Sequence, residues 1–143
     1  MTQEAKQLLL IDLCARLPYG VMCRLSVKGA NVSITEKLEF GGLQHFIFGT
    51  MDVKPLLRPI SSMTEEEERE FNRIFPCGMS FSTDCHEELI IYTTDSEYDG
   101  DHYFSCFVEI QDYLNAHHFD YRGLIKKGLA LEALEGMYTK EDN

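Results

Sequence analysis

MDVKPLLRPISSMTEEEEREFNRIF, residues 51–75, is the stretch on which the fold turns. An extended, β-rich region runs into it, two prolines stop that region, and an acidic helix leaves it. Proline fixes its own φ, lacks an N–H and pushes the preceding residue toward extended conformations. Lys54-Pro55 and Arg58-Pro59 are therefore expected to be extended, and Pro55 is not expected in a central strand. Thr64 with Glu67 fits a capping box, and Ser62 with Glu65 fits another two residues earlier. Glu65, Glu66, Glu67 and Glu68 fall near the positive end of the helix dipole, where carboxylates are favoured. Glu65 and Arg69 are spaced for an i,i+4 pair. Phe71, Ile74 and Phe75 give an apolar stripe only in the last turns, and Pro76 ends the helix. The helix should dock by its C-terminal half. The four glutamates are a candidate partner-binding surface for a cation or a basic protein, set against the plainer reading of a solvated, well-capped first turn.

Outward from this stretch, residues 2–17 read as a helix with Leu9, Leu13 and Leu17 on one face, widened by Leu10 and Cys14. Pro18-Tyr19-Gly20 ends it. Val21, Cys23, Leu25 and Val27 alternate with polar neighbours, as a strand over 21–28 requires. Lys28-Gly29-Ala30-Asn31 reads as a turn, 32–40 as a second strand, and Gly41-Gly42 as a second turn. Leu43–Val53, apolar on both faces, reads as a third and most buried strand. On the far side of the acidic helix, 79–81 and 89–94 read as strands, and 95–101 as a polar loop. Helices are expected at 104–117 and, capped by Asp120, at 121–127, with Gly128 in the left-handed position after it. Residues 129–131 suggest a last short strand, and 139–143 a frayed tail. The predicted fold is α+β: one domain, an antiparallel meander sheet of about four or more strands, an N-terminal helix, a central acidic helix and two C-terminal helices.

Composition narrows the functional classes. The chain has 143 residues, 44% hydrophobic and 26% charged, with net charge −11. The acidity is local: residues 1–60 carry seven basic against five acidic groups, and 61–101 carry two against twelve. A general nucleic-acid binder carries a basic face, so the total argues against that partner, although the first sixty residues leave room for a basic patch. Leu8–Ala15 is apolar, but it is short, contains Asp12 and is followed by Arg16. It reads as neither signal peptide nor membrane span. Five cysteines without a CxxC are expected to be thiols in a reducing cytoplasm, with no structural metal and no cofactor.

Three blocks, LLLIDLCARLPYGV (8–21), VKPLLRPISSMTEEE (53–67) and YLNAHHFDYRGLIKKGLALEALEGMY (113–138), carry a resemblance. Together they resemble a family of short uncharacterised proteins of Bacteroides-type gut anaerobes and their prophages and mobile elements. The chain departs from that pattern at Leu56, where the family has an aromatic residue, and at Leu134, where it has a proline. The resemblance implies a bacterial, phage-associated origin and adds no activity.

Candidate chemistry is sparse. Cys85 and His86 are adjacent, and His102 and Cys106 would share a helix face at i,i+4, a donor set that zinc accepts. No CxxC or HxxxH spacing anchors either half, and cysteine also serves as a small buried hydrophobe. His117, His118 and Asp120 concentrate at a helix junction, and a histidine oriented by a carboxylate is how a general base is built. No nucleophile, phosphate-loop or metalloprotease motif accompanies them. In the plainer reading one imidazole bonds a helix-end carbonyl while Asp120 caps. Helices 104–117 and 121–127 with Arg122, Lys126 and Lys127 loosely resemble the end of a winged helix, with few phosphate contacts. The acidic 61–101 segment could instead mimic a nucleic acid or engage a basic partner. The reading that follows is a cytoplasmic, non-enzymatic module that contacts an unknown protein partner. The rivals are a small metal- or ligand-binding enzyme using His117, His118 and Asp120, and an acidic nucleic-acid mimic or weak nucleic-acid binder.

Overall fold

The computed structural model describes residues 1–74, 79–82, 90–93 and 100–138, with side chains described for 1–74 and 107–138. The fold is α+β, and its residues group into two units, 1–57 with 124–143, and 58–123.

In the first unit α1 (Gln3–Arg16) begins at Thr2, whose Oγ1 accepts from the Ala5 N–H at 3.1 Å. Its buried stripe is Leu9, Asp12, Leu13 and Arg16. This is one helical face read at i, i+3, i+4 and i+7, and it is turned away from Cys14, which is exposed, contrary to expectation. Pro18 does not stop the chain at once. A 3-10 turn, Leu17–Tyr19, follows, and Gly20 ends it at φ +71°.

Strands β1 (Met22–Val27), β2 (Ser33–Lys37) and β3 (Met51–Leu57) and the two-residue β6 (Leu131–Glu132) form a sheet in the order β2-β1-β3-β6. β1 pairs antiparallel with both neighbours, and β6 runs parallel to β3. The sheet is thus mixed, and the antiparallel meander is corrected. The predicted strand over 43–53 is also overturned: α2 (Phe40–Phe48) fills most of it, and β3 starts only at Met51. Gly42 is a helical residue rather than a turn, and its lack of a side chain suits close packing, since a Cβ there would stand 3.3 Å from Leu25 Cδ2 and 3.4 Å from Leu38 Cδ1. Gly49 closes α2 at φ +73°, donating to the Phe46 carbonyl. Leu43 and Phe46, three apart, face the core.

Pro55 lies inside β3, which was not expected. It pairs with Cys23, and the bonded pairs of this ladder alternate with it. Its missing N–H therefore faces away from β1, toward a side where β6 begins only opposite Leu56. At the next register position the ladder is completed by a side chain. Tyr138 Oη accepts from the Met22 N–H at 2.9 Å and donates to the Leu56 carbonyl at 2.7 Å. Burial first, and the nearby Cys23, push its phenol up to about 12.

The core of this unit joins Leu9, Leu13, Val21, Cys23, Val53 and Leu57 to Leu124 and Leu129. Burial, with Asp12 adding to it, pushes the Cys23 thiol up to about 12. Since the thiolate is the nucleophile, iodoacetamide at mildly alkaline pH should label Cys14 in the folded protein and leave Cys23 unlabelled until denaturant is added. Peptide mapping reads this, and Cys23 labelling as fast as Cys14 would contradict the burial.

In the second unit α3 (Glu65–Ile74) and α4 (Gly100–Ala116) pack together, and β4 (Met79–Ser82) pairs antiparallel with β5 (Ile90–Thr93) in a sheet of their own. The strand expected at 89–94 is therefore present but does not join the main sheet. α4 starts about a turn earlier than expected and takes in Gly100 and Asp101 from the predicted loop. The predicted helix 121–127 is absent: residues 124–128 form a turn closed by Gly128 at φ +74°. The tail 139–143 lies outside the described residues. No helix among the described residues is long and apolar enough to cross a membrane.

Candidate functional site

In the second unit Glu67, Ser62 and His117 converge on one side chain, Arg58. Thr64 opens α3 as the capping box predicts: the Glu67 N–H donates to Thr64 Oγ1 at 3.2 Å, and the Thr64 N–H donates back to Glu67 Oε1 at 3.0 Å. The same carboxylate takes a two-pronged bond from Arg58, Nη1 to Oε2 at 2.8 Å and Nη2 to Oε1 at 2.7 Å. Arg58 also donates to the carbonyls of His117 and Ser62, at 3.4 and 3.3 Å, and its guanidinium lies 4.2 Å over the Phe119 ring. A planar fork that fits a carboxylate and stacks on an aromatic face is a role lysine cannot fill. Burial pushes the Glu67 carboxyl up, but bonds from Arg58 and Thr64 outweigh it, and the group is lowered from 4.5 to about 2.

Around this pair the aromatic residues stack. Tyr113 lies 4.1 Å from the His117 ring and 5.3 Å from Phe71. Its hydroxyl donates to the Glu67 carbonyl and to Glu70 Oε2, and burial together with Glu70 pushes the phenol up. His117 Nδ1 stands 3.4 Å from Glu67 Oε2. A carboxylate facing His117 is thus Glu67, from α3, which the sequence did not suggest.

The HHFD run is explained by how α4 ends. His118 sits at φ +62°, its N–H donates to the Asn115 carbonyl, and the Phe119 N–H reaches back to Leu114. That is a Schellman closure with His118 in the left-handed position usually held by glycine, and Phe119 meeting Leu114 in the core behind it. The chain then pairs with residue 58: the Arg58 N–H donates to the His118 carbonyl and the Asp120 N–H to the Arg58 carbonyl, both at 2.8 Å. Since no helix forms over 121–127, Asp120 is not its N-cap, which corrects the expected role.

Of the four glutamates proposed as a partner surface, Glu67 is turned inward to Arg58, while Glu65 and Glu66 are exposed. Cys85 and His86 lie outside the described residues. His102 and Cys106 are both within α4, but their side chains lie outside the description. Among the described residues no group of three or more His, Cys, Asp or Glu is placed to hold a metal. A shallow groove on this unit is lined by Phe107, Ile110, Gln111, Leu114 and Tyr121, and none of its lining is a proposed catalytic residue.

The first unit carries a different feature, missed in the sequence. Among the described residues β2 is an edge strand, with all five of its residues exposed. The Val27 N–H donates to Val32, so Val27–Val32 is a bonded pair and the bonded pairs of the ladder fall on odd residues of β1. Ser33, Thr35 and Lys37, opposite the even residues, therefore aim their N–H and C=O groups away from β1, at the open edge. Alternation within 32–40 located the strand, but its place at the rim required the sheet order.

Comparison with known proteins places the chain beside none of them: no family model, no curated protein and no solved structure matches it.

Proposed function

We propose that the chain is a non-enzymatic interaction module, and that it takes an extended segment of another protein along the open edge of β2. The observation that supports this reading is the edge itself. Among the described residues β2 has a neighbour on one side only, and on its core-side face Val32, Ile34 and the facing Val27 are 60%, 49% and 44% exposed. An uncovered edge is a template for a further strand. Strand addition draws affinity from main-chain bonds and specificity from alternate side chains. Against an enzymatic reading of His117, His118 and Asp120 stands the structural work each position does in closing α4 and pairing with Arg58.

The test uses Thr35→Pro. Proline there removes an N–H aimed at the open edge and spares the ladder to β1, a setting in which strands tolerate it. Tagged parent and variant are used side by side for affinity capture from extracts of the source cells, with circular dichroism to confirm that both fold. A protein held by the parent and lost from the variant is the expected result. An identical captured set, or nothing captured by the parent, overturns the reading.

A further inference from the structure

The opposite face of the same sheet has a charge pattern at odds with the rest of the chain. Arg24, Lys37 and Lys54 are all exposed. Arg24 and Lys54 are register partners on β1 and β3, and Lys37 is the partner of Met22 on β2. Side chains at alternate positions of a strand share a face, so the three cations lie on one polar surface, away from Cys23 and Leu25. Thr35, Ser33 and Ser26 share it, and Asp52 is its acid, 4.0 Å from Lys28. Among the described residues no carboxylate lies within ion-pair distance of Arg24, Lys37 or Lys54. Like charges directly opposite on a ladder are destabilising. A local choice that works against the fold marks a surface kept for another purpose, the more so in a chain with 24 acidic and 13 basic residues.

We infer that the segment added at β2 is acidic on one face: it alternates Asp or Glu, lying toward Lys37 and Arg24, with apolar residues lying toward Val32 and Ile34. This rests on the edge reading above and adds the chemistry of the occupant. Period-two alternation is what a strand beside β2 must satisfy, because its side chains fall in turn on the cationic face and the apolar face. Opposite charges across a ladder supply the selectivity. A polypeptide fits better than a nucleic acid. Three cations neutralise few phosphates, the apolar face would stay uncovered, and the net charge of −11 repels a long polyanion while salt screens it over a short contact.

Synthetic peptides alternating valine with glutamate, with serine or with lysine are the probes, and titration calorimetry gives their affinities for the parent, for Arg24→Glu/Lys37→Glu and for Thr35→Pro. The parent should hold the glutamate peptide about fivefold tighter than the serine peptide, added salt should erase the difference, and the double variant should prefer the lysine peptide. Equal binding of the glutamate and serine peptides, lost in Thr35→Pro, would sink the charge inference and leave the edge reading standing. A glutamate preference that survives Arg24→Glu/Lys37→Glu would also sink it. Binding of a single-stranded oligonucleotide but of no peptide, abolished by the double variant, would assign the face to nucleic acid and overturn the proposal. No binding of any probe overturns the inference and the edge reading together.

Discussion

Asp12→Ala should cost about 3–5 kcal/mol of stability, the range for breaking a buried ion pair by removing one partner. Asp12 and Arg16 are both 0% exposed, and Arg16 Nε donates to Asp12 Oδ2 at 2.8 Å along one face of α1. Desolvating two charges is expensive, and their attraction repays it only while both are present. Removing the carboxylate leaves a guanidinium that cannot shed its proton in a core of Leu9, Leu13, Val21 and Cys23. Arg16→Met should cost a similar amount by taking the guanidinium from the buried carboxylate, and the double variant Asp12→Leu/Arg16→Met should recover most of the loss. Urea unfolding of the three variants gives a double-mutant cycle. A double variant as unstable as the sum of the singles would show that the pair contributes little coupling and that the side chains matter by their packing.

Arg58→Ala should be the next most costly change, at about 2–4 kcal/mol, below the fully buried range because the two side chains of its pair are 20% and 15% exposed. It removes both prongs on Glu67, the donors to the His117 and Ser62 carbonyls, and the stack on Phe119. Arg58→Lys should recover only part of this, since an ammonium can neither fork nor stack in the same way. The pair also predicts the acid limb of stability. The Glu67 carboxyl lies lower in the folded protein, at about 2, than at its ordinary 4.5. The unfolded chain therefore binds the proton first as pH falls, so the stabilisation is complete above about pH 4.5 and is lost progressively toward about pH 2. Unfolding free energy measured across this window should fall with acidity in the parent and fall less in Arg58→Ala. Parallel pH profiles would show that Arg58 does not hold the Glu67 proton off.

The two halves of the capping box were legible because Thr64 and Glu67 are near in sequence and the bonds they make are local. Strand β1, the turn after it, the strand over 90–93 and the left-handed Gly128 were legible for the same reason: alternation and glycine act within a few residues. The helix α2 was not, because an apolar run with both faces greasy suits a buried strand as well as a helix. Gly41-Gly42 tipped the choice toward a turn. What the sequence did hold was Leu43 and Phe46 three apart with Gly49 to stop them. What it did not hold was the close approach of Leu25 and Leu38, which makes glycine at 42 a packing requirement.

By itself, then, the sequence determined the class, α+β, the acidic capped helix and the positions of most strands, because periodicity, caps and turn residues are short-range physics. Tertiary structure alone decided that Asp12 and Arg16 lie inside and that Glu67 belongs to Arg58. It likewise put Glu67 beside His117 and His118 in the closure of α4, and left β2 as the open rim of a mixed sheet. Each of these depends on what stands opposite a residue across a ladder or a helix interface, and no local pattern encodes that partner. A charged residue reads as solvated until the fold brings its counterion to it, and an edge strand reads like any other until the sheet order is known.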